Sequence, residues 1–182
     1  MKRIWLILSL VAVGLLVGCA RGGGYGRDIN DPTNSLVFGY VDMSDAPTKI
    51  NSATLQQVAP PSDKPYWHTN AHNGFFHIAY LPQGSFQLTT LRGSGFWSGD
   101  VRYNFPRQGK ENAVRITKPG IYFLGSFKYK RVRTGAFEGG KFDIERVSSP
   151  TEAELLQRIL EDKEIKGSAW EERIRQRLSG LK

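Results

Sequence analysis

Asn73-Gly74-Phe75-Phe76-His77-Ile78-Ala79-Tyr80-Leu81-Pro82-Gln83-Gly84-Ser85-Phe86-Gln87-Leu88-Thr89-Thr90-Leu91 packs two strand patterns and two turn signals into one short stretch. Asn-Gly is a strong tight-turn dipeptide, because the hairpin turns that match strand twist need positive φ at both central residues. With Tyr66-Trp67-His68-Thr69 before it and 75–80 after it, the pattern predicts a hairpin. Leu81-Pro82-Gln83-Gly84 then turns the chain again. In 85–91, Phe86, Leu88 and Thr90 fall on one face by period two.

Working outward, Leu36-Val37-Phe38-Gly39-Tyr40-Val41 and Ala53-Thr54-Leu55-Gln56-Gln57-Val58 read as strands, separated by a turn over 42–48. Pro60, Pro61 and Pro65 break the chain before the hairpin. Further strands are predicted over 113–117, 121–132 and 141–147. The pattern predicts a mainly β fold, an antiparallel β-sandwich over residues 34–148. The long segment 92–112 leaves its pairing open.

The order Val37-Phe38-Gly39-Tyr40-Val41-Asp42, Ala46-Pro47, Asn73-Gly74-Phe75-Phe76, and Leu81-Pro82-Gln83-Gly84-Ser85-Phe86 resembles carboxypeptidase regulatory-like and transthyretin-like (prealbumin-like) β-sandwich modules. That resemblance covers 36–91 and implies a seven-stranded sandwich without catalysis of its own. Lys118-Pro119-Gly120-Ile121-Tyr122-Phe123-Leu124-Gly125 is similar to the continuation in bacterial lipoproteins of this type.

Over 149–182 the pattern changes to helical. Ser149-Pro150-Thr151-Glu152 reads as a capping box with Pro at the first helical position, followed by the stripe Leu155, Leu156, Ile159, Leu160. After Gly167, Ser168-Ala169-Trp170-Glu171 repeats the logic, with Trp170, Ile174 and Leu178 in line and Gly180 as the stop. Two short amphipathic helices are predicted. Short helices are marginal alone, so they either fold back on the sandwich or form a partner-binding pair.

At the other end, Lys2 and Arg3 precede an apolar run over 4–17, the pattern of a secretion signal over 1–18. The run is shorter than the roughly 20 residues of a membrane-spanning helix. Leu16-Val17-Gly18-Cys19 resembles the bacterial lipobox. The resemblance implies cleavage before Cys19, a lipid (diacylglyceryl and acyl, palmitate-type) on that residue, and a membrane partner through this anchor. Ala20, rather than Asp, implies sorting to the outer membrane, read as periplasm-facing. Residues 19–33, rich in glycine, are expected to be a flexible tether.

The 182 residues are 40% hydrophobic, 12% aromatic and 23% charged, which argues against a wholly disordered chain or a polytopic membrane protein. Lysine and arginine number 25 against 17 acids, and removing the leader leaves 23 against 17, or +6. That balance suits anionic partners without selecting one. Cys19 is the single cysteine, which excludes internal disulfides and Cys-X-X-Cys redox chemistry.

Four constellations invite a chemical reading. His68, His72 and His77 lie close in sequence, but zinc normally takes four ligands, and His77 shares a strand face with Phe75 and Ala79; a half-buried sheet position is the plainer reading, and no metal is assigned. Gly135 to Phe142 nearly writes a phosphate loop, yet Phe142 stands where Ser or Thr is needed and a strand follows instead of a helix. Lys128, Lys130, Arg131 and Arg133 end a strand, either as a solvated edge or as a contact for anionic head groups. Phe96, Trp97, Tyr103 and Phe105 are mixed with Arg92, Arg102, Arg107 and Lys110, either as a hairpin feeding the core or as a surface for stacking sugars or bases.

No Gly-x-Ser-x-Gly elbow or His-Glu-x-x-His motif occurs, so an enzyme is not expected, and neither a cofactor nor a nucleic-acid partner is assigned. The expected function is an envelope lipoprotein with a structural or protein-interaction role and an envelope protein partner. The alternative is a module binding an anionic envelope lipid or polysaccharide through Lys128, Lys130, Arg131, Arg133, Trp97 and Arg102.

Overall fold

The computed structural model describes residues 28–95, 99–105, 112–132 and 141–181. Nine strands come first: β1 Ser35–Asp42, β2 Ile50–Ala59, β3 Tyr66–His72, β4 Phe75–Leu81, β5 Gly84–Gly95, β6 Gly99–Asn104, β7 Ala113–Ile116, β8 Ile121–Val132 and β9 Lys141–Val147. Two helices follow, α1 Glu152–Ile159 and α2 Ala169–Ser179. The fold is mainly β with C-terminal helices, as the patterning predicts.

The strands lie in the order β6-β5-β2-β3-β4-β1-β8-β9, with β7 beside β5. β3 is where this sheet folds over. Its first part pairs with β2 from Tyr66 to Asn70, while only Ala71 and His72 pair with β4. The β1 limb (β4, β1, β8, β9) therefore turns to face the β5 limb (β2, β5, β6, β7), and their inner faces make the main core. Val37, Val41, Phe76, Ile78 and Phe127 meet Leu55, Phe86, Leu88 and Leu91 there. Aromatic contacts close the free end: Phe142 of β9 lies 5.6 Å from Tyr103 and 5.3 Å from Phe105 between ring centroids.

The hairpin turn forms as its dipeptide predicts, with φ +50° at Asn73 and +84° at Gly74. A Cβ on Gly74 would stand 2.2 Å from the Val41 carbonyl oxygen, so the position also requires glycine for space. β8 and β9 have the predicted bounds. The open segment 92–112 contains β6, which pairs with β5 from Thr90↔Asn104 to Gly95↔Gly99. Asn112 fills the gap between β6 and β7: its amide donates to the Leu88 carbonyl at 2.7 Å, and Leu88 N–H donates back to the Asn112 carbonyl.

Two expectations about strand pairing and facing need correction. The sandwich is antiparallel except for β1 and β8, which run parallel from Leu36↔Ile121 to Asp42↔Lys128. In β5 the register shifts between Thr54↔Thr90 and Leu55↔Leu88, so one residue is extra. This bulge changes the phase: Leu91 joins Phe86 and Leu88 in the core, and Thr90, predicted to face inward with them, is only partly buried.

The outer face of the β1 limb is also apolar, and the helices cover it. Leu36, Phe38, Phe75 and Ala79 pack against Leu155, Leu156, Ile159, Ile165, Trp170 and Ile174. The Trp170 indole N–H donates to the Ala79 carbonyl at 3.1 Å. Of the two readings of the helices, folding back is the one observed. α1 starts later than predicted: the cap is Thr151, not Ser149, and Glu154, not Glu152, completes the box by accepting from the Thr151 N–H at 2.6 Å. Pro150 thus precedes the helix. Gly167 (φ +75°) makes the bend to α2, whose N-cap Ser168 accepts from Trp170 N–H.

Trp170→Ala is expected to cost about 3–5 kcal/mol, combining a lost aromatic volume with an unpaired Ala79 carbonyl. The urea midpoint should fall accordingly at an unchanged slope.

Candidate functional site

The outer face of the β5 limb carries no covering layer among the described residues, and its side chains are polar by simple alternation with the core. Cross-strand register arranges them in rungs. The first runs Asn70, Ser52, Arg92, Arg102; the second runs His68, Thr54, Thr90, Asn104; Tyr66 and Gln56 begin a third. The bulge in β5 brings Thr89 as well as Thr90 to this face, and both line a depression of about 500 Å³ with Tyr66, His68, Arg92 and Arg102.

Hydrogen bonds fix its floor. Thr54 Oγ1 lies 2.9 Å from His68 Nδ1, the direction of donation depending on the tautomer. Thr90 donates to Asn104 Oδ1 at 3.2 Å, and Thr89 donates to the Thr54 carbonyl at 3.3 Å. Thr54 is buried beneath its neighbours, whereas Tyr66 is 56% exposed and His68, Arg92 and Arg102 are exposed.

Arg92 and Arg102 are direct cross-strand partners, and neither has a carboxylate partner among the described residues. Like charges directly opposite on a sheet are destabilising, so this pair works against the fold that holds it. A planar, forked guanidinium pair beside hydroxyl and amide groups is a receptor for an oxyanion flanked by neutral polar groups.

The other predicted residues lie elsewhere. Lys128 Nζ is 3.0 Å from Asp45 and Lys130 Nζ is 3.0 Å from Glu145, so these strand-end cations already have partners; Arg131 is exposed beyond them. The Asp45 carboxylate, by hydrogen bond and charge, pushes the Lys128 ammonium above its ordinary range. Trp97, Arg133 and the lipobox residues Leu16, Val17, Gly18 and Cys19 fall outside the described residues, as do Phe96, Arg107, Lys110 and the glycine-rich loop 135–140. Phe105 and Tyr103 are buried, in keeping with the core reading of that hairpin.

The histidines separate. His68 edges the polar depression, His72 is exposed at the end of β3, and His77 lies in the other limb under the helices. No group of three or more His, Cys, Asp or Glu that could hold a metal ion occurs among the described residues. His77 Nε2 is 3.5 Å from Asp162, and its ring stacks on Phe75 with centroids 5.7 Å apart. Burial pushes its pKa below the usual 6.5, with Asp162 and then Glu164 pulling the other way.

The sequence matches no protein-family model and no curated protein. Among solved structures, a leucine-rich repeat protein from Bacteroides thetaiotaomicron aligns with 58% of this chain at 10% identity and a TM-score of 0.34. The chain spans 14% of that protein's length, and a likeness at this level carries no argument about fold or function.

Tyr66, His68 and Arg92 complete a surface for which sequence reading singled out Arg102 as a binding residue. The available signal was polar alternation in strands whose other face is apolar, but it needs the pairing of four strands to become a site.

Arg102→Thr should raise stability by about 0.2–1 kcal/mol in thermal or urea melts, since it relieves the opposed charges. For His77 the sign follows from burial: the unfolded chain takes the proton first, so stability is retained above the usual pKa of 6.5 and lost as pH falls below it. The loss should not exceed about 1.4 kcal/mol per pH unit for this one group. His77→Gln should flatten that part of the stability profile between neutral and mildly acidic pH.

Proposed function

We propose that this protein is a non-catalytic, lipid-anchored envelope module that binds an anionic polysaccharide through the outer face of the β5 limb. The carrying observation is the Arg92–Arg102 pair: two exposed guanidinium groups opposed across two strands, with no carboxylate partner among the described residues. A bound acid group would remove their repulsion, so ligand binding and relief of electrostatic strain coincide.

Three points support this reading over a structural or protein-interaction role. The apolar helix stripe that suited a partner is buried against β1 and β4. Two cations of the basic strand end are already ion-paired. The chain enters β1 on the helix side, where Ile29 packs against the helix-side core and Asn30 accepts from Ala169 N–H at 3.0 Å. The polar face therefore lies across the sandwich from that entry. In this reading Cys19 anchors the chain in the outer membrane, the helix side is nearer the lipid, and the arginines look away from it toward a polymer. No helix among the described residues is long and apolar enough to cross a membrane.

The test is titration of the full-length lipidated protein in detergent with a polyuronate and with neutral dextran, at low and high ionic strength. Polyuronate binding should weaken with salt and fall at least about tenfold in Arg92→Gln/Arg102→Gln, while Lys128→Ala/Lys130→Ala leaves it unchanged. Equal binding by wild type and the arginine variant would overturn the proposal. Truncation at Ser149 is not a substitute, because it bares Leu36, Phe38 and Phe75.

A further inference from the structure

We infer that the ligand is a chain of pyranose rings read at two points: an acidic sugar held by Arg92 and Arg102, and a second ring, further along the chain, stacked on Tyr66. This rests on the polysaccharide reading above and adds its register.

Tyr66 is a separate observation from the arginines. The exposed large hydrophobic side chains among the described residues are Val58, Tyr66 and Leu181. Tyr66 pairs across the sheet with Gln56 and lines the depression while 56% exposed. An exposed aromatic ring at one end of an otherwise polar face is a platform for a ring that is apolar on its flat side and polar at its rim, which describes a pyranose.

The spacing sets the length of the ligand. Arg92 and Tyr66 lie two strands apart on β5 and β3, and their rungs are separated by the four residue steps from Ser52 to Gln56. Strand spacing and rise together give a diagonal of about 16 Å. A monosaccharide cannot span that distance, whereas a trisaccharide of extended linkage can. Between the two points lie His68, Thr90 and Gln56, short groups that both donate and accept and so suit ring hydroxyls.

An acidic peptide is disfavoured by the same geometry. Strand addition by an extended peptide needs a sheet edge, which here is the outer side of β6, whereas the arginine and tyrosine side chains project from the flat of the sheet.

The experiment is calorimetric titration of the full-length lipidated protein with oligogalacturonates and oligomannuronates of one to six units, neutral oligosaccharides of equal length, and an acidic hexapeptide. For at least one acidic series, affinity should climb at least tenfold from one unit to three and then level off. Tyr66→Ala should lower trisaccharide affinity roughly tenfold while leaving the monosaccharide unchanged, and Tyr66→Phe should retain the wild-type value. An unchanged urea midpoint establishes that these variants are folded. Affinity indifferent to length or to Tyr66→Ala, with Arg92→Gln/Arg102→Gln still damaging, overturns the register and keeps the polysaccharide reading. Tighter binding of the acidic peptide than of any acidic oligosaccharide overturns the choice of a glycan. Binding unaffected by the arginine substitutions overturns both.

Discussion

The layer formed by β4, β1 and β8 is apolar on both faces, and the rest of the structure follows from having to cover it twice. In β1, Val37 and Val41 point to one core while Leu36 and Phe38 point to the other. A strand buried on both sides reads as a continuous hydrophobic run instead of an alternating one, which is how residues 36–41 read. The folded-over β5 limb supplies one cover and the helical pair supplies the second. The Trp170 indole ties that second cover down through one hydrogen bond to the Ala79 backbone.

Because both faces of this layer are occupied, the broad sheet surface left uncovered among the described residues is the outer side of the β5 limb. Composition separates it sharply from the covered faces: Ser, Thr, Gln, Asn, His, Arg and one exposed Tyr occupy positions that alternate with Leu, Trp and Phe. The bulge at Thr89 and Thr90 adds a hydroxyl to this face, and Thr90 donates to Asn104. Opposed arginines on such a surface are poor design for stability alone. Elsewhere the described cations show the stability-oriented alternative, as in Arg177 with Glu152 and Lys130 with Glu145.

Much of this fold was legible because it is encoded locally. Asn73-Gly74 specifies its own turn, the leucine stripe specifies α1, and Phe75 and His77 share a face because alternation requires it. What sequence could not supply is phase and partnership. A single bulge residue moved Thr90 out of the inward set and Leu91 in, and nothing in Thr89-Thr90 announces it. The parallel neighbour of β1 is likewise invisible, since β8 lies far along the chain. The candidate site fails to appear for the same reason: Tyr66, His68, Arg92 and Arg102 come from three strands and become neighbours only through registers that bind them to β2 and to one another. Even the start of α1 is displaced, because Ser149 and Thr151 each have a glutamate three residues on, Glu152 and Glu154, and spacing alone does not choose between them.

The parallel pairing of β1 with β8 carries a consequence for the order of assembly. Leu36 pairs with Ile121, and the cover for Leu36 and Phe38 comes from residues beyond Thr151. The first of the described strands to be synthesised is thus among the last to be completed. A hairpin-built sheet can accumulate as the chain grows, but here β1 must wait for contacts of long sequence separation, whose closure entropy comes before their reward. During that wait its β8-side edge and its helix-side apolar face are open to other chains, so the central strand of the finished molecule is an exposed liability of the unfinished one.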